Sequence, residues 1–268
     1  MKKIFSLMFL FLLAQWATAQ DLSLYQKQWF FQNGDTMPYR ILFPENYDAQ
    51  KQYPLVLFLH GRGESGSDNE KQLVHGASMF LRDSIRKNFP AIVVFPQCSE
   101  HSYWSNVQMV AEGSKNSKRS FYFTPGGPPS SAMQTVMGLL DNLLVRYPVD
   151  RQRVYVMGLS MGGMGTFEIV RRRPGMFAAA IAICGGAHPA TARQISRTPW
   201  WIFHGAKDDV VLPKYSEQMA KALKRMHADV RFTLFPEANH NAWDPAFAQP
   251  DLLPWLFHHK KLRGKHYR

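Results

Sequence analysis

The sequence predicts one α/β domain, a mostly parallel sheet of about eight strands with helices on both faces. Three observations carry this expectation. Short apolar runs recur at residues 55–60, 91–95, 154–157, 178–183 and 200–203. Runs without a polar face suit strands covered on both sides, as in a parallel sheet. Amphipathic segments with helical spacing fall between them, which is the βαβ pattern. The 268 residues, 46% of them hydrophobic, are enough for one large core. No heptad, repeat or low-complexity block points to another architecture.

The chain opens on a segment that reads as a signal peptide. Lys2 and Lys3 precede an apolar run over 4–13, and Ala17-Thr18-Ala19 fits a signal-peptidase site. Residues 1–19 are expected to be removed, leaving 20–268 as an exported domain, periplasmic or secreted. The apolar run is too short to span a bilayer and no second span follows, so no stable membrane anchor is expected.

Asn33-Gly34-Asp35 separates two mixed apolar stretches and marks a β-hairpin, because Asn-Gly accepts the positive φ values of a tight turn. Residues 230–235 add a further strand. Helical spacing is clearest over 130–147, where Val136, Leu139, Leu140, Leu143 and Leu144 share a face. It recurs over 161–173, 214–226 and 252–261. Residues 97–129 show no period. With Lys115, Lys118, Arg119 and the stretch from Pro125 to Pro129, they read as a long surface excursion.

In such sheets function gathers at the carboxyl ends of the strands. Gly158-Leu159-Ser160-Met161-Gly162-Gly163 follows one strand and opens a helix. A sharp Gly-x-Ser-x-Gly turn in that context lifts the hydroxyl above the sheet edge, which marks Ser160 as a nucleophile. A Ser hydroxyl needs a base, and the base an orienting acid. Both follow later strands: Asp208, with Asp209 as the alternative, and then His240. The loop His60-Gly61-Arg62-Gly63 offers the amide of Arg62, and the turn after Ser160 the amide of Met161, as an oxyanion hole. His60 itself reads as a brace of its turn. Tyr103, Trp104 and Trp243 are candidate walls of a substrate site, or else they pack beneath loops. The Arg62 side chain either reaches the pocket mouth or lies in solvent. No ligand spacing suggests a metal, and no Gly-x-Gly-x-x-Gly follows a strand, so neither metal nor cofactor is expected.

These residues carry a resemblance. Residues 54–64 with Asp68-Asn69-Glu70-Lys71-Gln72-Leu73, Phe95-Pro96-Gln97-Cys98, the turn around Ser160, Cys184-Gly185-Gly186 and His240-Asn241-Ala242-Trp243-Asp244 form one pattern. It resembles the exported carboxylesterases of the α/β-hydrolase superfamily related to feruloyl and acetyl xylan esterases. Polyhydroxybutyrate depolymerases and the phospholipase/carboxylesterase group are near relatives. The resemblance covers nearly the whole of 20–268. It implies an α/β-hydrolase catalytic domain, Ser160, Asp208 and His240 as triad, and a small-molecule or polysaccharide-linked ester as substrate. Arg62 departs from the small residue of that pattern, which bears on substrate choice. Ser160 separates the chain from dienelactone hydrolases, which use Cys. Two alternatives stay open: a peptidase of the prolyl oligopeptidase-like type, and a scaffold that binds without catalysis.

Lys plus Arg number 32 against 20 Asp plus Glu, a net charge of +12. This balance suits anionic partners or plain solubility. Nucleic acid is not expected, since no nucleic-acid motif accompanies the charge. Two cysteines in an exported chain invite a disulfide. The strand order of an α/β-hydrolase argues against it. Two strands would lie between Cys98 and Cys184, three steps of about 4.8 Å, whereas a disulfide needs Cα atoms within about 7 Å. Two free thiols are expected.

Overall fold

The computed structural model describes residues 21–110 and 120–261, so the expected signal peptide lies outside the described residues. In chain order the strands are β1 (Gln26–Gln32), β2 (Asp35–Leu42), β3 (Tyr53–Leu59), β4 (Ile92–Pro96), β5 (Val107–Val110), β6 (Ser120–Phe123), β7 (Val149–Leu159), β8 (Ala179–Ile183), β9 (Trp200–Gly205) and β10 (Val230–Phe235). The helices are α1 (Ala77–Phe80), α2 (Asp83–Asn88), α3 (Ser131–Arg146), α4 (Met161–Arg172), α5 (Ala192–Ile195), α6 (Lys214–Arg225), α7 (Trp243–Phe247) and α8 (Leu252–His258).

One eight-stranded sheet runs in the order β1-β2-β4-β3-β7-β8-β9-β10. β2 pairs antiparallel with β1 and β4; every other pairing in this sheet is parallel. The opening turn holds Asn33 at φ 52° and Gly34 at φ 83°, the two positive values that a two-residue hairpin needs.

The continuous apolar runs have a simple cause. Side chains alternate across a strand, and here both faces are covered. Leu55, Leu57 and Leu59 enter one core layer, Val56 and Phe58 the other; Trp200 and Ile202 oppose Trp201 and Phe203 in the same way. α3, α4 and α6 close the first layer with Leu140, Phe167 and Leu223. α1 and α8 close the second with Phe80 and Leu256. Each such side chain contributes about 1.5–3 kcal/mol on burial.

Three elements differ from expectation. β7 begins at Val149, ahead of the apolar run, because its polar start is stabilised locally: Arg153 Nε donates to Asp150 Oδ2 at 2.7 Å. α8 stops at His258, where His259 turns to extended backbone. The excursion over 97–129 contains β5 and β6, an antiparallel pair outside the main sheet. Four-residue strands with exposed Met109, Val110 and Tyr122 leave no readable period. Between β4 and β8 lie β3 and β7, and both Cys98 and Cys184 are free and buried.

Candidate active site

β7 ends at Leu159, and Ser160 takes φ 53° and ψ −118° before α4 starts at Met161. A non-glycine residue with positive φ is strained and persists only where its surroundings hold it. Here the Ser160 amide donates to the Ile183 carbonyl of β8 at 2.8 Å. The turn also needs a bare backbone: a Cβ at Gly162 would stand 1.9 Å from the Leu59 carbonyl oxygen.

Beyond β9 the buried Asp208 follows Gly205, and beyond β10 His240 follows Phe235. The structure brings both to Ser160. Ser160 Oγ lies 2.9 Å from His240 Nε2, and His240 Nδ1 lies 2.8 Å from Asp208 Oδ2. Asp208 Oδ1 accepts from the Val210 and Val211 amides, each at 2.9 Å. Burial opposes ionisation of Asp208, but hydrogen bonds from His204 and His240 outweigh it and hold the carboxyl well below the usual carboxylate range. Asp209 is exposed.

His204 was not singled out from the sequence. Its Nδ1 lies 2.7 Å from Ser216 Oγ, and its Nε2 lies 2.7 Å from the Val211 carbonyl and 3.1 Å from Asp208 Oδ2. Among the described residues, Cys184, His204 and Asp208 group potential metal-ligating atoms within 4.8 Å of one another. Both His204 nitrogens and both Asp208 oxygens already have hydrogen-bond partners, so the group acts as a brace beneath the acid. The available signal was one polar residue on an otherwise apolar strand.

Arg62 opens the short helical turn Arg62–Glu64, and Met161 opens α4. First-turn amides have no acceptor within their own helix, so both can serve a ligand. The Arg62 guanidinium donates to the carbonyls of Ser102, at 2.9 Å, and Glu100, and lies 5.4 Å from the centre of the Tyr103 ring. It therefore clamps that loop and lines the cavity mouth. His60 braces its turn: Nδ1 donates to the Gly61 carbonyl at 2.6 Å, and Nε2 accepts from the Cys98 amide at 2.9 Å. Burial lowers the His60 pKa to about 4.

A cavity of about 690 Å³ opens at Ser160, with Glu64, His75, Tyr103, Met109, Phe121 and Trp243 on its walls. Tyr103 and Trp243 thus line the cavity beside Ser160. Trp104 does not. It is fully buried, its Nε1 donates to the His60 carbonyl at 3.2 Å, and it packs against Gly165 of α4. A buried indole needs an acceptor, and the end of β3 supplies it. Glu64 and His75 were not proposed as wall residues, because a charge in a glycine-rich loop reads as solvated.

A sharp serine turn after β7, with an aspartate after β9 and a histidine after β10 of such a sheet, defines an α/β-hydrolase. A family model described as "Putative esterase" matches residues 32–234, and the chain belongs to this esterase family. The crystal structure of a thermostable esterase superposes with a TM-score of 0.78 at 31% identity, covering 89% of this chain and 64% of that one. A ferulic acid esterase superposes at 0.62 with 18% identity, covering 87% of this chain and 97% of that one, and shares the fold. The bifunctional acetylxylan esterase/xylanase XynS20E of Neocallimastix patriciarum is 35% identical over 79 residues, 29% of this chain and 12% of that protein. Feruloyl esterase B of Neurospora crassa is 37% identical over 65 residues, 24% of this chain and 22% of that protein. Each curated match therefore spans less than a quarter of the relative. Among the described residues, no helix is long and apolar enough to cross a membrane.

Proposed function

We propose that this chain is an exported serine carboxylesterase that cleaves esters through an acyl-enzyme on Ser160. The carrying observation is the unbroken line from Ser160 Oγ through His240 to Asp208, with contacts of 2.9 and 2.8 Å, at a cavity wide enough for an ester.

Asp208 accepts from His240 Nδ1–H, which leaves Nε2 free to take the Ser160 proton. Ser160 Oγ then attacks the ester carbonyl carbon. The amides of Arg62 and Met161 hold the oxygen as it becomes negative. The tetrahedral intermediate collapses, the carbon–oxygen bond to the alcohol breaks, and His240 returns the proton to the departing alcohol. Water then attacks the acyl group, giving a proton to His240, and the carboxylic acid leaves as Ser160 regains its hydrogen. The scheme requires neither metal nor cofactor.

The substrates we propose are acyl groups on plant polysaccharides. The names of the two curated relatives support this, and so do the flat rings of Tyr103 and Trp243 in the cavity wall. Export rests on the signal-peptide pattern over 1–19.

A fluorophosphonate probe tests the chemistry. The chain should label at Ser160 and lose labelling in Ser160→Ala. It should turn over p-nitrophenyl acetate, methyl ferulate or acetylated xylan, and leave a peptide anilide intact. Labelling at another residue, or turnover of the anilide in place of the esters, overturns the reading.

A further inference from the structure

His60 and His204 are both buried beside the site, and their hydrogen-bond partners differ in kind. His60 meets one acceptor, the Gly61 carbonyl, and one donor, the Cys98 amide. A neutral imidazole, with one N–H and one lone pair, satisfies both. His204 meets acceptors on each side. Its Nε2 lies 2.7 Å from the Val211 carbonyl and 3.1 Å from Asp208 Oδ2. A carbonyl has no hydrogen to give, and Asp208 is held ionised, so Nε2 carries the hydrogen.

On the other side, Nδ1 lies 2.7 Å from Ser216 Oγ. A hydroxyl can give or accept, but it has one hydrogen, and Ser216 donates that to the Gly185 carbonyl at 2.9 Å. Were the hydrogen turned to Nδ1, the Ser216 and Gly185 oxygens would face each other with nothing between them. His204, Ser216 and Gly185 are all buried, so bulk solvent does not repair that contact. Both ring nitrogens therefore donate, and an imidazole that donates twice is an imidazolium.

A buried cation needs a counter-charge, and Asp208 supplies it; both side chains are fully enclosed. Cys184 is the other titratable group against the pair. Burial and the Asp208 charge raise its thiol, so it stays neutral. His240 shares Asp208 Oδ2 and meets Ser160 on its far side, with Glu64 and His75 farther along the cavity wall.

Two imidazoles thus draw on one carboxylate oxygen. His240 has to be neutral to take the Ser160 proton. A bare carboxylate at its Nδ1 would draw a second proton onto the ring and disable the base. A fixed positive charge behind Asp208 offsets that pull and leaves in place the hydrogen bond that aims the ring.

We propose that His204 is an imidazolium across the working pH range, and that its charge, acting through Asp208, extends turnover toward lower pH. His204 is a positioning residue. The effect on turnover rests on the carboxylesterase reading; the charge of His204 does not.

Neutron diffraction at mildly alkaline pD reads the charge directly. Deuterium should stand on both Nδ1 and Nε2 of His204, and the Ser216 deuterium should point at Gly185. Deuterium on one ring nitrogen alone overturns the proposal, whatever the chain cleaves. The pH profile of kcat/KM on p-nitrophenyl acetate reads the consequence. His204→Gln should move its acid limb up by about one pH unit or more, because a whole charge is lost beside a buried carboxylate. Ser216→Ala removes the acceptor of Nδ1 and should move the limb the same way by less; it carries the test where His204→Gln fails to fold. A fall in kcat at every pH with the acid limb unmoved would make His204 a brace alone and overturns the proposal. If the wild-type chain cleaves no ester, the hydrolytic reading fails, and the pH dependence of fluorophosphonate labelling at Ser160 carries the same comparison.

Discussion

His204 Nε2 stands 3.1 Å from Asp208 Oδ2, the same oxygen that lies 2.8 Å from His240 Nδ1. One carboxylate oxygen thus serves two imidazoles, while the other holds the amides of Val210 and Val211. A carboxylate with its lone-pair directions filled has little freedom to turn. It keeps the His240 ring directed at Ser160.

Asp208→Asn should lower kcat on p-nitrophenyl acetate about 10⁴-fold, because Asn favours the wrong imidazole tautomer and cannot stabilise the imidazolium. Asp209→Asn changes an exposed side chain and should stay within about twofold of wild type. The reverse ranking would move the acid to Asp209.

Ser160→Ala should lose about 10⁴-fold or more in kcat while circular dichroism and Tm stay near wild type, since only one oxygen is removed. Substantial residual turnover in a clean preparation would remove Ser160 from the mechanism.

Gly162→Ala should destabilise the fold by about 3 kcal/mol or more, because the new carbon meets the Leu59 carbonyl oxygen and rigid backbone cannot yield. Gly126→Ala, with nothing within 4 Å, should shift the urea midpoint by less than about 0.5 kcal/mol equivalent.

Much of this site was legible because strand ends are punctuated. The glycines around Ser160, the His60-Gly61 turn and the placing of Asp208 and His240 after apolar runs all register in the sequence. Residues that act by filling space were not. Trp104 and Trp243 look alike as letters, yet one lies under the loop and the other on the wall. Glu64 and His75 come together only through the curl of the loop after β3. His204 reads as part of a strand end, and its contact with Asp208 depends on the turn that follows β9.

Stability should fall as the pH drops from about 6.5 toward 4. His60 has its ordinary value of 6.5 in the unfolded chain, and burial lowers it to about 4 in the fold. Between these values the unfolded chain binds more protons, so folding weakens as protons are added, by up to about 3 kcal/mol. Glu64, raised by burial, acts in the opposite sense. Asp68, held near 2, gives up its contribution only below the ordinary Asp range. Urea unfolding at a series of pH values should show a shallower slope for His60→Gln than for wild type; equal slopes would remove His60 as the cause.

Burial pushes the Cys98 thiol up to about 12, and burial with the Asp208 charge raises Cys184 as well. Both should resist a thiol reagent in the native chain. The denatured, unreduced chain should release two thiols. An intact mass two hydrogens short would instead reveal a bridge between them.

β5 and β6 hydrogen-bond to each other rather than to the main sheet, and Phe121 reaches the body through Met164, Val211 and Tyr215. Met109, Val110 and Phe121 still contribute to the cavity at Ser160. Inheritance can therefore treat bond-breaking and guest choice as separate traits. A duplicated copy of the chain can change those three side chains, or exchange the hairpin whole, while every residue around Ser160 stays in place. Descendants should diverge in diet before they diverge in chemistry.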